Sequence, residues 1–424
     1  MLRSSLLSIF LVLSAAAQDR HVVVISLDGY PAYALRDPQT PAPTIRRLIR
    51  EGAWAPDGMT NVNPTVTWPN HTAMVTGVSP SRHGVIYNGL PVRKNGKIVV
   101  EAFVPKTTLV LAPTVYDLAH NAGMKTAEVD WVAIEDAPTI DYSFFEFPKQ
   151  DSIIVKEMIA AGIVTPHDIE TFAKAPITYR DEIWTQAAIH ILTKHRPNLL
   201  LFHLLTTDSS QHRYGARSLG GITALAQADR QVERLIDAAR TAGMLETTTF
   251  LVVSDHGFHT ATKQIRPAAL LKQKGITAFN IIPEGGTAMI YGNVPPDTFK
   301  GVEGISQVIT PDQYAALGYP APSGGRMSEL VLAAADGYSF SGSSDGPVVD
   351  FIAPGAGNGN HGYLATNPDM RPIFVAWGAG VKPGARLADV HTVDLAPTIA
   401  RLLGLDMKDV EGHILAGALA TGVK

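Results

Sequence analysis

Residues 63–77 have the sequence NPTVTWPNHTAMVTG, and the rest of the chain is organised around them. The polar first half changes abruptly into a short apolar run, and Pro69 suits the first turn of a helix but not its interior. We therefore predict a loop that ends near Thr67 and a helix that begins at about Pro69. The Thr67 hydroxyl then lies at a helix N-terminus, where free N–H groups and the helix dipole favour negative charge. Such a hydroxyl is a candidate nucleophile if its pKa is lowered, which a metal ion can do.

The composition predicts a folded protein with a large core. Of the 424 residues, 46% are hydrophobic and 17% are charged, which allows one large domain with insertions or two domains. The formal net charge of −4 gives no reason to expect a nucleic-acid duplex or an anionic membrane as the main partner. The chain has no cysteine, which excludes disulfides, thiolate catalysis and cysteine-ligated zinc.

The first 17 residues have the pattern of a secretory signal peptide. Arg3 provides a positive charge, residues 6–13 are apolar, and Ala15 to Ala17 resemble a cleavage site. The apolar run is too short to span a bilayer, and no later stretch reaches about 20 apolar residues. We therefore predict a periplasmic or secreted protein without a membrane span. The alternative is an N-terminus that stays anchored in the membrane.

Apolar runs alternate with predicted helices along the chain. His21 to Leu27 reads HVVVISL and predicts a strand buried on both faces, and similar strands are predicted at 199–205 and 249–254. Helices are predicted over 222–242 and 393–403. This alternation predicts an α/β fold with a mostly parallel central sheet and helices on both faces.

Two segments interrupt this pattern, and we interpret both as insertions. Residues 132–180 are rich in Pro, Phe, Tyr and acidic residues, and they have no clean period. Residues 258–350 contain several Gly/Pro-rich turns and two strand candidates, at 288–291 and 330–335. We expect the 132–180 segment to lie over the sheet and to influence the choice of substrate.

Three predicted strands each end near an aspartate: Asp28, Asp208 and Asp255. Open α/β sheets place their chemistry at this end of the strands. His212 follows Asp208 by four residues and would share one face of a helical turn with it, while His256 directly follows Asp255. The alternative is that these aspartates only cap helices and turns. Their repeated placement in one sheet favours a common site.

A further histidine, His361, lies in the tight turn Gly359-Asn360-His361-Gly362. Carboxylates and imidazoles without sulfur suit zinc, with manganese or iron as alternatives. Three other histidines are interpreted as surface or core residues rather than ligands: His190, His195 and His203.

These residues lie in motifs that resemble the alkaline phosphatase superfamily and, within it, the nucleotide pyrophosphatase/phosphodiesterase family. The resemblance extends from about His21 to Leu405 and is weakest over 132–180 and 258–350. The matching motifs are Leu27-Asp28-Gly29, Thr67-Trp68-Pro69-Asn70-His71, His83-Gly84 with Asn88, Asp208 with His212, Ser254-Asp255-His256-Gly257, and His361-Gly362-Tyr363.

The resemblance implies an alkaline-phosphatase-like catalytic domain with two zinc ions. Thr67 would be the nucleophile rather than Thr65, because the family's threonine directly precedes the aromatic-Pro-Asn-His run. Asn88 would donate a hydrogen bond to a phosphoryl oxygen. Trp68 occupies the place of an aromatic residue beside the base or leaving group, and Tyr142 would supply a second stacking ring through a gapped match. One zinc would be held by Asp28, Asp255 and His256, with the Thr67 oxygen, and the other by Asp208, His212 and His361.

The implied function is a phosphodiesterase or nucleotide pyrophosphatase that hydrolyses a small-molecule phosphate diester or nucleotide through a threonyl-phosphate intermediate. Residues 18–424 would form one catalytic domain of the bacterial type, since the cysteine-rich accessory domains of animal members are absent. Alternatives on the same site are a phosphomonoesterase and a phosphonate hydrolase. A sulfatase is disfavoured, because its Cys/Ser-x-Pro-x-Arg motif has no counterpart at Thr67. A secreted binding protein with structural metals is the alternative of a different class, and nothing in the sequence indicates an oligomeric state.

Overall fold

The computed structural model describes residues 20–353 and 355–422, so the predicted signal peptide lies outside the described residues. A central sheet of eight strands organises the fold, and we number its strands β1 to β8 in chain order. They are His21–Leu27 (β1), Ala53–Trp54 (β2), Thr126–Val129 (β3), Tyr142–Phe144 (β4), Leu199–Leu204 (β5), Thr248–Val253 (β6), Phe374–Gly378 (β7) and Ala385–Arg386 (β8).

The spatial order of the strands is β8-β2-β7-β6-β1-β5-β3-β4. β1 lies near the middle and pairs in parallel with β5 and β6, whereas β7 is antiparallel to both of its neighbours. β1, β5 and β6 are buried along their whole length, as their continuous apolar runs predict. The predicted mostly parallel sheet is therefore confirmed.

Helices cover both faces of this sheet. Val23 and Ile25 of β1 face a core shared with the helices Pro43–Glu51, Ile177–His195 and Leu219–Thr241. The alternate residues of β1 face a second core, because successive side chains of a strand point to opposite sides. That core includes the helices Thr67–Thr76, Val115–Asn121 and Leu395–Leu403. Further helices are Ala32–Arg36, Pro80–His83, Lys106–Leu109, Ile153–Ala160, Pro166–Thr171, Thr206–Tyr214, Pro267–Gln273 and Pro311–Tyr314.

The two predicted insertions differ in structure. The 132–180 segment contributes β4 to the edge of the central sheet. The 258–350 segment forms an antiparallel four-stranded sheet, which confirms both strand candidates there, and it includes most of a smaller three-stranded sheet. The strands of the first are Asn280–Pro283, Thr287–Tyr291, Ile305–Ile309 and Leu330–Ala334, and those of the second are Lys263–Ile265, Tyr338–Phe340 and Val349–Phe351. A β-hairpin is formed by Leu90–Lys94 and Lys97–Glu101.

The helix after the opening motif begins at Thr67, two residues before the start predicted from Pro69. The first N–H groups of a helix have no partner within the helix, so a proline at the third position removes no required bond. Gly77 ends the helix in the left-handed region, with φ of 70°. Among the residues that the structure describes, no helix combines the length and the hydrophobicity that crossing a bilayer requires.

Candidate active site

Residues that follow two strands and the hydroxyl at one helix start converge at one edge of the central sheet. Asp28 follows β1, and Asp255 and His256 follow β6. The Nε2 atom of His256 lies 3.3 Å from Asp28 Oδ1, 3.2 Å from Asp255 Oδ2 and 3.5 Å from Thr67 Oγ1. The four residues that the resemblance assigns to the first zinc are therefore neighbours in the fold.

The second predicted trio lies beside the first. Asp208 and His212 share a face of the helix Thr206–Tyr214, as their spacing predicts, and Asp208 Oδ1 lies 3.3 Å from His212 Nε2. His361 Nε2 lies 3.7 Å from the same oxygen. The ring of His361 stacks on that of His256, with centroids 3.7 Å apart. The two trios thus form one continuous cluster.

Backbone carbonyls fix the orientation of all three imidazoles. The Nδ1 atoms lie 2.9 Å from Gly359 O for His212, 3.0 Å from Gly257 O for His256 and 3.0 Å from Thr65 O for His361. Because a carbonyl only accepts, each Nδ1 carries a hydrogen and each Nε2 is the ring nitrogen that faces the carboxylates. Histidines that bind metals usually have this arrangement.

The carboxylates leave inward-facing oxygens unpaired. Asp28 Oδ1, Asp208 Oδ1 and Asp255 Oδ2 are buried and have no hydrogen-bond partner within residues 20–353 and 355–422. Burying several carboxylates without compensating charge is unfavourable by several kcal/mol. Unpaired oxygens beside imidazole lone pairs are the donor set that zinc prefers. The residues therefore fit two divalent cations.

Burial and the neighbouring charges shift the pKa values of the clustered groups in both directions. Burial, with repulsion from Asp255 and Asp208, raises the pKa of Asp28 well above its ordinary value. Burial lowers the pKa of His256 to about 4 and the pKa of His361 well below its ordinary value, which keeps these imidazoles neutral near neutral pH. Burial would raise the pKa of Asp208, but the neighbouring His212 imidazole outweighs burial and the pKa is lowered overall, while Asp208 in turn raises the pKa of His212.

A third group of two histidines and an acid lies elsewhere and differs in character. Glu157 Oε2 lies 3.0 Å from His190 Nε2 and 2.7 Å from His195 Nε2, which are ordinary hydrogen-bond lengths. Its other oxygen lies 3.1 Å from Lys194 Nζ. The carboxylate is thus fully partnered, and the interpretation of His190 and His195 as residues other than ligands fits this structure.

The loop before Thr67 is held by side-chain hydrogen bonds. Asn70 Nδ2 donates to Pro64 O and Val66 O at 3.0 Å each, and Asn70 Oδ1 accepts from Val62 N. The competing hydroxyl of Thr65 donates to Tyr363 O at 2.6 Å, away from the carboxylates. Thr67 is therefore the hydroxyl that faces the cluster.

Asn88 lies next to the start of the same helix. Its Oδ1 accepts from the backbone N–H of Trp68 at 2.9 Å. Because the oxygen is used in this way, the amide nitrogen of Asn88 is the group that can donate to a ligand at Thr67.

A cavity of about 300 Å³ lies beside the Trp68 side chain. Phe103 meets Trp68 edge-on at a centroid distance of 6.3 Å, and Phe147 meets Phe103 at 5.8 Å. Both phenylalanines are partly exposed, at 46% and 40%. The cavity is lined by Trp68, Phe103, Val104, Trp131, Val132, Ala133, Ile134, Glu135, Phe145, Glu146, Phe147 and Lys149.

Tyr142, which the gapped match suggested as a second stacking ring, is not among the residues that line this cavity. Tyr142 begins β4 and stacks on His195 with centroids 4.0 Å apart. β4 is parallel to β3, so only the residues after its C-terminal end reach the cavity. Phe147 and Phe103 supply rings there instead. The sequence signal for Phe147 was only the abundance of aromatic residues in 132–180.

Solved structures show the class of fold. The chain aligns with murine ectonucleotide pyrophosphatase/phosphodiesterase 5 at a TM-score of 0.72 and 20% identity, covering 95% of this chain and 100% of that one. An inactive variant of the same murine protein, in complex with AMP, aligns at a TM-score of 0.70 and 19% identity over 93% and 96% of the two chains. The fold is therefore alkaline-phosphatase-like, as expected.

Sequence comparison identifies the family. The family model described as type I phosphodiesterase / nucleotide pyrophosphatase matches residues 22–364, and the chain belongs to that family. It is 21% identical to the bis(5'-adenosyl)-triphosphatase enpp4 of Xenopus laevis over 391 residues, which are 91% of this chain and 78% of that protein. It is 24% identical to ectonucleotide pyrophosphatase/phosphodiesterase family member 1 of Mus musculus over 405 residues, but spans only 40% of that protein. Family membership supports phosphodiester hydrolysis.

Proposed function

We propose that the protein is a periplasmic or secreted phosphodiesterase that uses two zinc ions and Thr67 to hydrolyse small-molecule phosphate diesters or nucleotides. The observation that carries this proposal is the convergence of two Asp/His trios, with unpaired carboxylate oxygens, on a hydroxyl at a helix N-terminus. A structural metal site would need neither this hydroxyl nor the adjacent amide of Asn88.

The family resemblance supplies the two ligand sets, and the distances within the cluster are compatible with them. Asp28, Asp255 and His256 would hold one cation, and Asp208, His212 and His361 the other, with manganese or iron as alternatives to zinc. When bound, two such cations lower the pKa of a coordinated hydroxyl and stabilise charge on the attacking and leaving oxygens.

The chain's own groups then complete the reaction. The Thr67 hydroxyl loses its proton, its oxygen attacks phosphorus in line, and a threonyl phosphate forms as the bond from phosphorus to the leaving oxygen breaks. The departing oxygen takes up a proton from water and leaves as an alcohol. The Asn88 amide donates to a phosphoryl oxygen, and the free N–H groups of the helix Thr67–Thr76 favour the added negative charge. Water then hydrolyses the threonyl phosphate, which restores the Thr67 hydroxyl.

The cavity at Trp68 supports a substrate with a flat group, such as a nucleobase. Its aromatic lining offers π surfaces directly beside the nucleophile. Three residues of the surrounding loops, Phe103, Asp130 and Ala133, have φ of 53°, 57° and 55°. Strained backbone of this kind concentrates at ligand sites. The name of the Xenopus relative, a bis(5'-adenosyl)-triphosphatase, is consistent with nucleotide substrates.

The contacts of two arginine side chains favour diesters over monoesters as substrates. A monoester carries an additional negative charge, which an arginine near the site would balance. Arg82 donates to Asp409 O at 2.7 Å and lies 4.0 Å from Glu411, and Arg213 lies over the ring of Tyr214. Both arginine side chains contact other parts of the protein rather than the cluster, so the phosphomonoesterase is only the second candidate.

The test combines metal analysis and turnover on one preparation. We expect wild-type protein to contain two zinc ions and to hydrolyse bis(p-nitrophenyl) phosphate faster than p-nitrophenyl phosphate. Thr67→Ala should abolish diester turnover while the zinc content is largely kept, and Thr65→Ala is the matched control that retains turnover. Near-normal activity of Thr67→Ala, or a metal-free active enzyme, would refute the proposal.

A further inference from the structure

A buried histidine outside both trios contacts one of the proposed ligands. His203 is fully buried on β5, which pairs with β1 directly before Asp28. Its Nε2 lies 2.9 Å from Asp28 Oδ2, and its Nδ1 lies 2.9 Å from the backbone carbonyl of Asp130. Because carbonyl and carboxylate oxygens accept, both ring nitrogens act as donors.

The two carboxylate oxygens of Asp28 therefore have different contacts. Oδ2 is bound by His203, whereas Oδ1 lies 3.3 Å from His256 Nε2 and has no hydrogen-bond partner in the described part of the chain. The plane of the carboxylate is therefore fixed with one oxygen directed into the cluster. Residues behind a ligand that orient it in this way commonly control metal affinity.

Asp130 fixes the other side of the imidazole. It follows β3 with φ of 57°, a left-handed conformation that is uncommon for residues other than glycine. Its Oδ2 lies 3.3 Å from His203 Nδ1, so both a carbonyl and a carboxylate of the same residue face the ring. The ring of His71 packs against that of His203 at a centroid distance of 4.5 Å.

The other carboxylate of this trio is held differently. Asp255 Oδ1 accepts from the backbone N–H of Gly29 at 3.0 Å, which no side-chain substitution removes, and at the longer distance of 3.3 Å from the Ser254 hydroxyl. For Asp28 the orienting donor is a side chain, and it can therefore be tested by substitution.

We propose that His203 is a positioning residue that holds Asp28 Oδ1 toward the cation bound by Asp28, Asp255 and His256, and that Asp130 fixes the His203 ring. This inference rests on the metal-dependent function proposed above. It assigns the Asp130–His203–Asp28 chain to one cation and leaves the cation of Asp208, His212 and His361 independent of it.

The experiment measures the affinity of each of the two zinc ions by competition with a chelator. His203→Leu removes both donors at a similar side-chain volume, and we expect about a 10- to 100-fold loss of affinity for one ion only. His203→Gln keeps an amide donor and should restore part of that affinity. Phe202→Leu is the matched control: Phe202 is equally buried on the same strand but belongs to the core on the face of Val23, and this variant should leave both affinities unchanged.

A double-mutant cycle tests whether His203 acts through Asp28. In an Asp28→Asn background, His203→Leu should cause little further loss of zinc affinity, because His203 affects zinc only through the Asp28 carboxylate, which is already removed. Equal weakening of both ions, unchanged affinity in His203→Leu, or a full additional loss in the Asp28→Asn background would overturn the inference. Absence of zinc binding by wild-type protein would instead refute the proposed function itself.

Discussion

The Trp68 side chain gives the sharpest prediction about substrate choice. Trp68→Ala removes the indole but keeps the backbone N–H that donates to Asn88 Oδ1, so the nucleophile and its neighbouring amide stay in place. Stacking of one base on an aromatic side chain contributes about 1–3 kcal/mol. If this contact forms in the transition state, the variant should lose roughly 5- to 150-fold in kcat/KM for a substrate with a base.

The assay compares two substrates with the same leaving group. These are the p-nitrophenyl esters of thymidine 5′-phosphate and of methyl phosphate, followed through release of p-nitrophenol. We expect the loss for the thymidine ester only, since the methyl ester has no ring to stack. Phe103→Ala should cause a smaller loss of the same kind, because its ring meets Trp68 edge-on at 6.3 Å.

Phe351→Ala is the control for removal of an exposed aromatic ring. Phe351 is 70% exposed on the strand Val349–Phe351 and is not among the residues that line the cavity. Both esters should be hydrolysed normally by this variant. An equal loss for both esters in Trp68→Ala, or no loss for the thymidine ester, would show that the indole does not hold a base.

Two further predictions concern a donor and a buried acid. Asn88→Ala should lower kcat for diesters by about 10²- to 10³-fold, as expected for loss of one preorganised donor. Steady-state kinetics on protein with unchanged zinc content measure this. A normal kcat would contradict the role of Asn88 as a donor to the phosphoryl oxygen. Burial raises the pKa of Glu284 to about 8, so the folded carboxyl keeps a proton that the unfolded chain releases above about pH 4.5. The free energy of unfolding should therefore fall as the pH rises toward about 8, and urea titrations should show that Glu284→Gln removes part of this decrease; identical pH slopes for the two proteins would contradict it.

The sequence predicts the cluster of aspartates and histidines well because strand topology determines it. Asp28 and Asp255 each follow a continuous apolar run, and parallel strands with buried faces bring such ends to one edge of a sheet. The pairing of Asp208 with His212 follows from helical spacing alone. The prediction of His361 as a site residue depended on its motif, since no periodic pattern connects its turn to the sheet.

The residues that were missed depend on tertiary contacts without a local signal. His203 lies in an apolar run that reads as core, and its partner Asp130 approaches it only because the loop after β3 turns through a left-handed residue. Phe103 reaches Trp68 from the segment that follows a hairpin. Tyr142 begins β4, whereas the ring that lines the cavity, Phe147, lies beyond the end of that strand.

The stereochemistry at phosphorus tests the role of Thr67 most directly. A phosphorothioate diester of known configuration would be hydrolysed in isotopically labelled water, and the configuration of the product determined. Attack by Thr67 followed by attack of water gives two in-line displacements, so we expect net retention. Net inversion would require a single displacement by water and would contradict the threonyl phosphate.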